Sequence, residues 1–390
     1  MSRLALPEPS LTSASPRPVT RQPRFRRGPV TVRPPATSAN LGPGFDAFGL
    51  ALELRDEVVV QVLAEPGLNV EVFGEGAGQV PLDESHLLVR ALRVGFDALG
   101  GQPAGLRVSC RNRIPHGRGL GSSSAAICAG LTAARDLVEG GASVLDEEAL
   151  LDLANHIEGH PDNVAPALRG GLTIAWLEQD PEREHGLGQG TEAPRPSGDR
   201  QDTDLVIAAG GSPEVSTHVS TDIFTGRQPE HMRAFAQRLE PAADVGAVAF
   251  IPPNRLATEV ARGLLPASVP HRDAAFNAGR AGLLTAALTA PELSHHHRAV
   301  LLHAATRDRL HQDYRAAAMP DSAALIRRLR ADGFAAFVSG AGPTVLVLTV
   351  GPDWARKAAD YAPEGWGVTV LTVASRGAAA DSPPDDTDTP

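Results

Sequence analysis

The segment PHGRGLGSSSAA, Pro115–Ala126, constrains the fold more than any other stretch of this chain. A strand-like run, LRVSC (Leu106–Cys110), precedes it, three glycines form a loop, and three serines begin a helix-patterned stretch that reaches Val138. Glycine lets the backbone adopt positive φ and approach a ligand closely, and a helix N-terminus offers unpaired N–H groups to an anion. The first turn of this helix carries no Asp or Glu, so the pattern predicts a strand–loop–helix unit that cradles phosphate.

Two enzyme classes that also use glycine-rich loops fit this segment less well. Gly121 and Ser123 distantly resemble the nucleophile elbow of serine hydrolases, with His160 as a base, but an elbow places its serine directly at the end of a strand. Here ten residues separate Cys110 from Gly121. A dinucleotide-binding fingerprint also fails, because Ser122 stands where its third glycine belongs. A plain glycine-rich turn with a serine cap is the structural alternative for the segment taken alone.

Lys357 is the only lysine, and every other fixed cation of the chain is an arginine. It lies in a late helix-patterned stretch, WARKAADYA, far from any glycine-rich loop. The phosphate loops of P-loop proteins and the fold of protein kinases need a lysine against the phosphates. If this chain handles ATP, backbone N–H groups and a metal ion must therefore hold the phosphates.

Composition excludes several classes of partner and compartment. A net charge of −10 argues against nucleic acid or a membrane surface as partner. No apolar run approaches the roughly 18 residues that span a bilayer, and the start of the chain lacks the apolar core of a secretory signal. The only two cysteines, Cys110 and Cys128, form no C-x-x-C pair, so neither a disulfide framework nor a cysteine metal site is expected. We predict a protein of the reducing cytoplasm.

The chain divides into two core-forming halves and three polar segments. A Pro-, Ser- and Arg-rich leader covers residues 1–28, a polar insertion covers 178–204, and an acidic tail covers 376–390. We expect all three to be disordered and the leader to be dispensable for folding, with an organelle-targeting peptide as its alternative reading. The remaining halves, 29–177 and 205–375, mix strand and helix patterns, and an aromatic content of 4% leaves a core of small aliphatic side chains. The predicted fold class is α+β.

Short patterns predict the main elements. VVVQVL (Val58–Leu63) and LNVEVF (Leu68–Phe73) predict a hairpin-like pair of strands around a Pro-Gly turn. Asp146 predicts a helix N-cap, and SAALIRRLRADG predicts a helix closed by Gly333. Further strands are predicted at LTIAW (Leu172–Trp176), LVIAA (Leu205–Ala209), FAAFV (Phe334–Val338) and VLVLTV (Val345–Val350).

Two polar segments contain further candidates for chemistry. In IEGHPDN (Ile157–Asn163), a carboxylate joined by a serine hydroxyl would make a partial shell for Mg²⁺, which keeps water and nucleotide oxygens at its other sites. The following VAPALRGG predicts a turn back into the strand LTIAW, and a capped helix end with a polar turn is the structural alternative for IEGHPDN. The segment PPATSANLGPGFDAFGLAL (Pro34–Leu52) has one carboxylate, Asp46, within a small-residue loop. It predicts a loop that closes over a small polar ligand, with a tight turn as the alternative.

Taken in order, these segments resemble those of the GHMP kinase superfamily, which includes galactokinase, homoserine kinase and mevalonate kinase. PHGRGLGSSSA resembles the phosphate loop of that family, and FVSGAGPTVLVL resembles its C-terminal glycine-rich motif. The resemblance covers roughly residues 30–375. It implies a two-domain GHMP kinase fold with the active site in the cleft between the domains. The N-terminal, ATP-binding domain would resemble domain 2 of ribosomal protein S5, with a left-handed βαβ crossover, and the C-terminal domain would be ferredoxin-like.

PATSANLGPGFDAFGLAL and EGHPDNVAPALRGG are more particular, because both resemble the homoserine kinases within that superfamily. The resemblance implies transfer of the γ-phosphate of ATP, with Mg²⁺ as cofactor, to the side-chain hydroxyl of L-homoserine, a step of threonine biosynthesis. The residues implied to wrap the ATP phosphates are Pro115, His116, Gly117, Arg118, Gly119, Leu120, Gly121, Ser122, Ser123, Ser124 and Ala125. Ser123 and Glu158 are implied as ligands of Mg²⁺, and Ser339–Thr344 as a loop that buttresses the phosphate site.

The same resemblance assigns the substrate contacts. Asn40, Asp46 and His160 are implied to touch homoserine near its hydroxyl and ammonium groups. Arg262 and Arg315 match two arginines that hold the substrate carboxylate, and the planar guanidinium fork suits that group. The residues implied in catalysis are Asn163, Asp46 and Asn40.

Three points stay open at this stage. Asn163 stands where mevalonate kinase and galactokinase relatives place an aspartate, so catalysis without a dedicated carboxylate base is our hypothesis. A kinase for another small alcohol such as mevalonate is the nearest rival function, and a non-catalytic small-molecule sensor on the same fold is another. A homodimer is the habit of the family, and the sequence does not fix the oligomeric state.

Overall fold

Strands and helices alternate along the chain in the computed structural model, which describes residues 23–179 and 232–380. The first range contains the strands β1 (Val30–Val32), β2 (Pro35–Ala39), β3 (Phe48–Arg55), β4 (Glu57–Leu63), β5 (Gly67–Gly74), β6 (Gly105–Asn112) and β7 (Leu172–Gln179), and the helices α1 (Leu87–Ala98), α2 (Ser122–Leu137), α3 (Glu147–Glu158) and α4 (Pro161–Arg169). The second range contains the strands β8 (Met232–Leu239), β9 (Val245–Ile251), β10 (Ala335–Val338), β11 (Val345–Val350) and β12 (Gly367–Thr372), and the helices α5 (Thr258–Gly263), α6 (His271–Thr289), α7 (His295–Ala305), α8 (Gln312–Arg315), α9 (Pro320–Ala331) and α10 (Gly351–Ala359). This mixture confirms the α+β class.

Within the described residues, the strands form sheets in the orders β1-β4-β6-β5, β2-β3-β7-β8 and β10-β11-β9-β12. The predicted pairing of β4 with β5 is wrong, because β6 lies between them, antiparallel to β4 and parallel to β5. The chain leaves β5, passes through α1 and returns as β6 beside it, so a crossover replaces the hairpin. β6 suits an inner position because its Leu106, Val108 and Cys110 are buried, whereas β5 buries only Val70 and suits the sheet edge.

Small residues let α1 and α2 pack closely, as the low aromatic content predicts. Gly130 of α2 lies so near α1 that an added Cβ would stand 2.7 Å from the backbone oxygen of Leu88. Gly95 of α1 faces Ala134 of α2 in the same way, with 2.7 Å between the added Cβ and the alanine side chain. The helix that follows the glycine-rich loop is therefore held tightly against a neighbour, because any larger residue at these positions would push the two helices apart.

The inner strands of the last sheet are buried on both faces. In β9, Ala247 and Ala249 belong to one hydrophobic cluster, and Val248 and Phe250 belong to a second. This follows from the alternation of side chains across a strand. The first cluster also contains Leu50 of β3, so a single core joins residues from the N-terminal and C-terminal halves of the chain.

The starts of the helices α3 and α4 differ in how well the sequence predicted them. The predicted N-cap Asp146 is confirmed, because its carboxylate accepts a hydrogen bond from the Ala149 N–H at 2.9 Å. The segment after His160, in contrast, is the helix α4 and not the turn that its sequence predicted. α4 begins with Pro161, whose fixed φ suits the first helical position, and Asp162 in its first turn favours the positive end of the dipole.

Contacts divide the chain into one unit formed by residues 1–176 and 234–390 and a second unit formed by residues 177–233. Residues 29–176 and 234–375 of the two predicted domains belong to the first unit, and the domain boundaries stay predictions. The predicted insertion from residue 180 onward and the predicted strand Leu205–Ala209 lie outside the described residues. Among the helices that the structure describes, none combines the length and the apolar character needed to cross a membrane.

Part of the predicted leader and part of the predicted tail contact the rest of the protein. Phe25 pairs with Val138 through a β-bridge, and its ring meets Phe96 edge to face with the centroids 5.6 Å apart. Near the other end, the Ala378 N–H donates to the Ala167 carbonyl at 2.6 Å. Part of each segment is therefore packed, while residues 1–22 and 381–390 lie outside the described residues.

We expect Phe25→Ala to lower the free energy of unfolding by about 1 kcal/mol or more, because it removes a half-buried aromatic contact with α1. Urea unfolding followed by tryptophan fluorescence measures the change. Arg27→Ala is the control, since Arg27 is exposed. Equal stability of the two variants would mean that the leader contributes nothing to the fold.

Candidate active site

The glycine-rich loop ends at the N-terminus of α2. Gly121, the residue before the helix, has a φ of 69°, no side chain caps the helix, and its first turn contains no acidic residue. The first N–H groups of a helix lack intrahelical partners and carry the positive end of its dipole. The phosphate loop, residues 115–125, therefore ends in a set of donors suited to an anion such as phosphate.

The phosphate loop lies against two other segments that leave no room for a side chain at Gly119 or at Gly121. A Cβ at Gly121 would stand 1.9 Å from the Thr37 hydroxyl, and one at Gly119 would stand 2.3 Å from the Ser339 carbonyl oxygen. The Thr37 N–H donates to the Leu120 carbonyl at 3.0 Å, and the Ser339 hydroxyl donates to the Gly119 carbonyl at 2.5 Å. The buttress loop, residues 339–344, thus contacts the phosphate loop directly.

Asp56 holds the chain where it leads into the phosphate loop. Its carboxylate accepts backbone hydrogen bonds from Arg113 at 2.6 Å and Ile114 at 2.9 Å. Burial is the main cause that raises the pKa of Asp56 to about 6, although both N–H groups act in the opposite direction. Asp56 was not predicted as a site residue, because an aspartate between two strands is typical of an ordinary turn.

Two side chains of the phosphate loop contact residues other than those at the start of α2. Arg118 donates to the carbonyls of Pro252 at 3.0 Å and Pro253 at 2.9 Å. His116 packs against Gly76, where an added Cβ would stand 2.6 Å from its ring. These two side chains fix the shape of the loop, so the donors that face an anion come from its backbone and its serines.

The structure brings together Glu158 and the serines at the start of α2, the groups that the sequence assigned to Mg²⁺. The hydroxyls of Ser123 and Ser124 both donate to Glu158 Oε1 at 2.7 Å. A carboxylate beside a hydroxyl supplies the hard oxygen ligands that Mg²⁺ prefers and leaves other positions to water and phosphate, so these residues fit the ion. Within the ranges that the structure describes, no group of three or more His, Cys, Asp or Glu side chains could hold a metal ion.

His160 and Asp162 form a hydrogen-bonded pair in the same region. His160 Nδ1 lies 2.7 Å from Asp162 Oδ1, and Asp162 is buried. Burial lowers the pKa of His160, but the hydrogen bond to Asp162 and the charges of Asp162 and Glu158 outweigh it, so the pKa is raised. The charge of Arg262 also acts on His160, which puts this predicted carboxylate-binding arginine in the same neighbourhood.

The substrate loop, residues 40–46, has three non-glycine residues with positive φ: Asn40 at 68°, Leu41 at 48° and Asp46 at 54°. Such backbone conformations are strained and persist only where the surroundings fix them. Asn40 provides part of that support, since its Oδ1 accepts from the Asp46 N–H at 2.9 Å and its Nδ2 donates to the Gly340 carbonyl at 3.0 Å. Asn40 therefore joins the substrate loop to the buttress loop.

A second set of residues, missed in the sequence analysis, supports the substrate loop from α8 and its surroundings. His311 is buried and donates from Nε2 to the Gly42 carbonyl at 2.8 Å, and its ring stacks on Phe45 with the centroids 5.3 Å apart. Burial is the main cause that lowers the pKa of His311, which favours the neutral ring. Asp308 accepts the His311 N–H at 3.0 Å and the Asn277 Nδ2 at 2.8 Å. These contacts fix the strained loop.

Both predicted carboxylate-binding arginines lie at the substrate loop. Arg262 donates two hydrogen bonds to Asp46, from NH1 to Oδ2 at 3.2 Å and from NH2 to Oδ1 at 2.9 Å. Arg315 is buried and donates to the carbonyls of Ala261 at 3.2 Å and Gly340 at 3.3 Å. Burial first, and the charge of Arg262 second, lower the pKa of Arg315. Within the described part of the chain, Arg315 forms no ion pair with a carboxylate, so backbone carbonyls orient its charge without neutralising it.

Asn163, the predicted catalytic amide, lies beside the phosphate loop. The Thr37 hydroxyl donates to Asn163 Oδ1 at 2.8 Å, and the same hydroxyl is the group that faces Gly121. Because Oδ1 is occupied, the amide offers its Nδ2 hydrogens to other groups. Thr37 was missed in the sequence analysis, and its one signal was that it shares a small-residue motif with Asn40.

Comparisons with known proteins agree with this geometry. The family model GHMP kinases N terminal domain matches residues 86–171, and the model GHMP kinases C terminal matches residues 287–368. A homoserine kinase of Streptomyces avermitilis is 51% identical over 356 residues, which cover 91% of this chain and 97% of that protein. A homoserine kinase of Leifsonia xyli is 45% identical and covers 90% of this chain and 91% of its own length. The crystal structure of homoserine kinase from Cytophaga hutchinsonii, 22% identical, covers 92% of this chain and 99% of its own with a TM-score of 0.67, and it supports the fold.

The architecture and the lysine-free phosphate loop define a phosphotransferase of the GHMP type. The chain belongs to the GHMP kinase family and, within that family, to the homoserine kinases. The predicted fold class and family resemblance are therefore confirmed. The individual site assignments rest on the geometry above and stay predictions.

We expect Gly121→Ala to weaken MgATP binding about tenfold or more, because its Cβ would stand 1.9 Å from the Thr37 hydroxyl and force the phosphate loop away. Calorimetric titration of the purified chain measures the Kd. The matched control is Gly140→Ala, which has a similar φ of 75° but nothing within 4 Å of the added Cβ. An equal loss of ATP affinity in both variants would contradict the role assigned to this close approach.

Proposed function

We propose that this chain transfers the γ-phosphate of ATP to the side-chain hydroxyl of L-homoserine and forms O-phospho-L-homoserine. The observation that supports this proposal best is the group of charges at the substrate loop, where Asp46 meets Arg262 and the charge of Arg262 acts on Arg315. The charges of Glu158 and Arg262 both act on His160, so the charged groups and the phosphate loop lie in one region. The relatives named homoserine kinase support the same substrate.

The paired side chains of the substrate loop suit a zwitterion. Asp46 and Arg262 neutralise each other through two hydrogen bonds. Homoserine presents an ammonium group to Asp46 and a carboxylate to Arg262, so its binding exchanges one ion pair for two. Arg315 adds a second guanidinium whose charge is balanced by no carboxylate partner among the described residues. Buried charges need such partners, and a substrate without an ammonium group would leave Asp46 unpaired.

The phosphate loop holds the nucleotide phosphates without a lysine. Backbone N–H groups and the serine hydroxyls at the start of α2 bind the transferred group, and the helix dipole favours its negative charge. When bound, Mg²⁺ neutralises charge on the phosphate oxygens, and Ser123 and Glu158 would hold it. Asp56 and Ser339 keep the loop in this shape from its two sides.

The hydroxyl nucleophile is positioned by an amide and not deprotonated by a carboxylate. Asn163 cannot accept a proton at neutral pH, while Asp46 is bound to Arg262 and Asp162 to His160. Phosphoryl transfer has a loose transition state, so deprotonation of the nucleophile can come late and positioning can supply most of the rate. Thr37 fixes the Asn163 amide for that task.

The rival functions fit these contacts less well. Mevalonate has a carboxylate and a hydroxyl but no ammonium group, so it would satisfy the arginines and leave Asp46 without a partner. A non-catalytic sensor would not need a carboxylate and two serine hydroxyls joined at the start of α2. The cytoplasmic location, which the cysteine content predicted, and the homodimer, which the family resemblance implies, both stay predictions.

We expect efficient phosphorylation of homoserine with MgATP and very little of mevalonate in a coupled assay of ADP release. Arg315→Ala should raise the homoserine KM by an amount that corresponds to about 2–5 kcal/mol, because it removes the guanidinium partner of the buried substrate carboxylate. Arg272→Gln, whose side chain is 82% exposed, is the control and should leave KM unchanged. An unchanged homoserine KM in Arg315→Ala would overturn the substrate assignment.

We expect Asp46→Asn and Asp162→Asn, made separately, to keep kcat within about tenfold of the wild-type value across the pH range. General-base catalysis is worth roughly 10²–10⁴-fold, so a true carboxylate base would be revealed by a much larger loss of kcat. Asp46→Asn should instead raise the homoserine KM, because it removes the partner of the ammonium group. Asp353→Asn, with a side chain that is 83% exposed, controls for the change of charge. A loss of that larger size, at unchanged KM and unchanged fold, would show that a base exists.

A further inference from the structure

A cavity of about 530 Å³ lies outside the site described above, among α7, α8, α9 and β10. This volume is typical of sites that bind small molecules. Part of its wall is apolar and includes Met319, Ile326 and Val338. Its arginines are Arg307, Arg309, Arg327 and Arg330, and His303 also lines it. None of the residues around the cavity belongs to the phosphate loop or to the substrate loop.

Positive charge in this cavity is not balanced by the protein. Arg330 is partly buried and donates to the carbonyls of Ala336 at 2.9 Å and His303 at 2.6 Å, which orient a guanidinium without neutralising it. Burial, and next the charge of Arg307, lower the pKa of Arg330 to about 10. Among the described residues, Arg307, Arg327 and Arg330 form no ion pair. An anion in the cavity would relieve the repulsion between Arg307 and Arg330.

Neither of the two carboxylates that line the cavity forms an ion pair with Arg307, Arg327 or Arg330 among the described residues. Asp308 is buried, and its two oxygens already accept hydrogen bonds from the Asn277 side chain and from three backbone N–H groups. Asp313 is exposed to solvent and forms no ion pair within the described ranges. Arg309 is the basic residue with a protein partner, Asp273, at 3.1 Å. Three guanidinium groups are left for a ligand.

We propose that this cavity is an effector site that binds a small phosphate monoester. A phosphate monoester carries nearly two negative charges and three strong acceptor oxygens at neutral pH, which suits several guanidinium forks at once. Its organic part suits the apolar wall. A simple carboxylate, with one charge, would leave the repulsion between Arg307 and Arg330 only partly relieved.

Direct contacts connect the cavity to the substrate site. Asn277 Nδ2 donates both to Asp308, which lines the cavity, and to the Pro43 carbonyl of the substrate loop at 3.3 Å. Gln312, another lining residue, accepts from the Val338 N–H at 2.7 Å, immediately before the buttress loop. A ligand that displaces Asp308 or Gln312 therefore acts on two loops of the substrate site, so occupancy changes the KM for homoserine.

Calorimetric titration of the full chain with glycerol 2-phosphate tests the binding. We expect Arg307→Gln/Arg327→Gln to raise the Kd about tenfold or more, since each lost charge-assisted hydrogen bond costs at least that much. Arg328→Gln is the matched control, because it neighbours Arg327 on α9 but contacts Tyr361, which does not line the cavity. Equal binding to wild type and double variant would overturn the site, and tighter binding of succinate would overturn the phosphate class. This arm needs no catalysis, so its failure is distinct from a failure of the proposed function.

Kinetics test the effector role. Saturating glycerol 2-phosphate should change the homoserine KM of the wild type by about fivefold or more and leave that of the double variant unchanged. Without the phosphate ester, kcat and KM of the double variant should match the wild type, because neither arginine touches the catalytic site. An equal change of KM in both proteins would place the ligand in the active site and overturn the proposal. An unchanged KM in the wild type would overturn the effector role.

Discussion

The close approach of the phosphate loop to the segments on either side of it is the constraint on which the rest of the site depends. Gly119 lies under the Ser339 carbonyl and Gly121 lies under the Thr37 hydroxyl, and neither position has room for a Cβ. Through these contacts the strand β2, the phosphate loop and the buttress loop share one site, although they are far apart in the chain. Thr37 extends the same contact to Asn163. The donors at the start of α2 are therefore placed by parts of both halves of the chain, and the common core that joins those halves supports this arrangement.

A second feature of the structure is that two arginines with functional roles are oriented by backbone carbonyls. Arg315 is oriented by the carbonyls of Ala261 and Gly340, and Arg330 by those of Ala336 and His303. A carbonyl directs a guanidinium group and leaves its charge available to a ligand, whereas a carboxylate would neutralise it. Arg262 differs from these two arginines, because it pairs with Asp46, and a zwitterionic substrate can replace each member of that pair with its own charge. The substrate site thus contains an ion pair, whereas in the cavity near Arg330 three arginines have no ion-pair partner among the described residues.

Sequence reasoning succeeded where a signal is local and failed where pairing partners are distant. The glycines and serines of the phosphate loop, the Asp146 cap and the helix before Gly333 are short patterns, and the structure contains each of them. The hairpin of β4 with β5 is wrong, because β6 returns from α1 to lie between them. Asp56, Thr37 and His311 were missed for the same reason. Thr37 acts on a residue 126 positions away and His311 on one 269 positions away, and nothing near either residue in the sequence marks the contact.

The sequence by itself determined the α+β class, the lysine-free phosphate loop and, through motifs in their order, the family. These follow from residue types that act locally: glycine permits positive φ, serine begins a helix, and the lack of lysine excludes other phosphate loops. Only the tertiary structure decided which charges meet. Asp46 of the N-terminal half pairs with Arg262 of the C-terminal half, and Glu158 pairs with two serines that lie 34 and 35 positions earlier in the chain, so tertiary packing brings these groups within hydrogen-bond distance. A hydrogen bond forms only within about 3 Å, so spacing along the chain could name these residues but could not pair them.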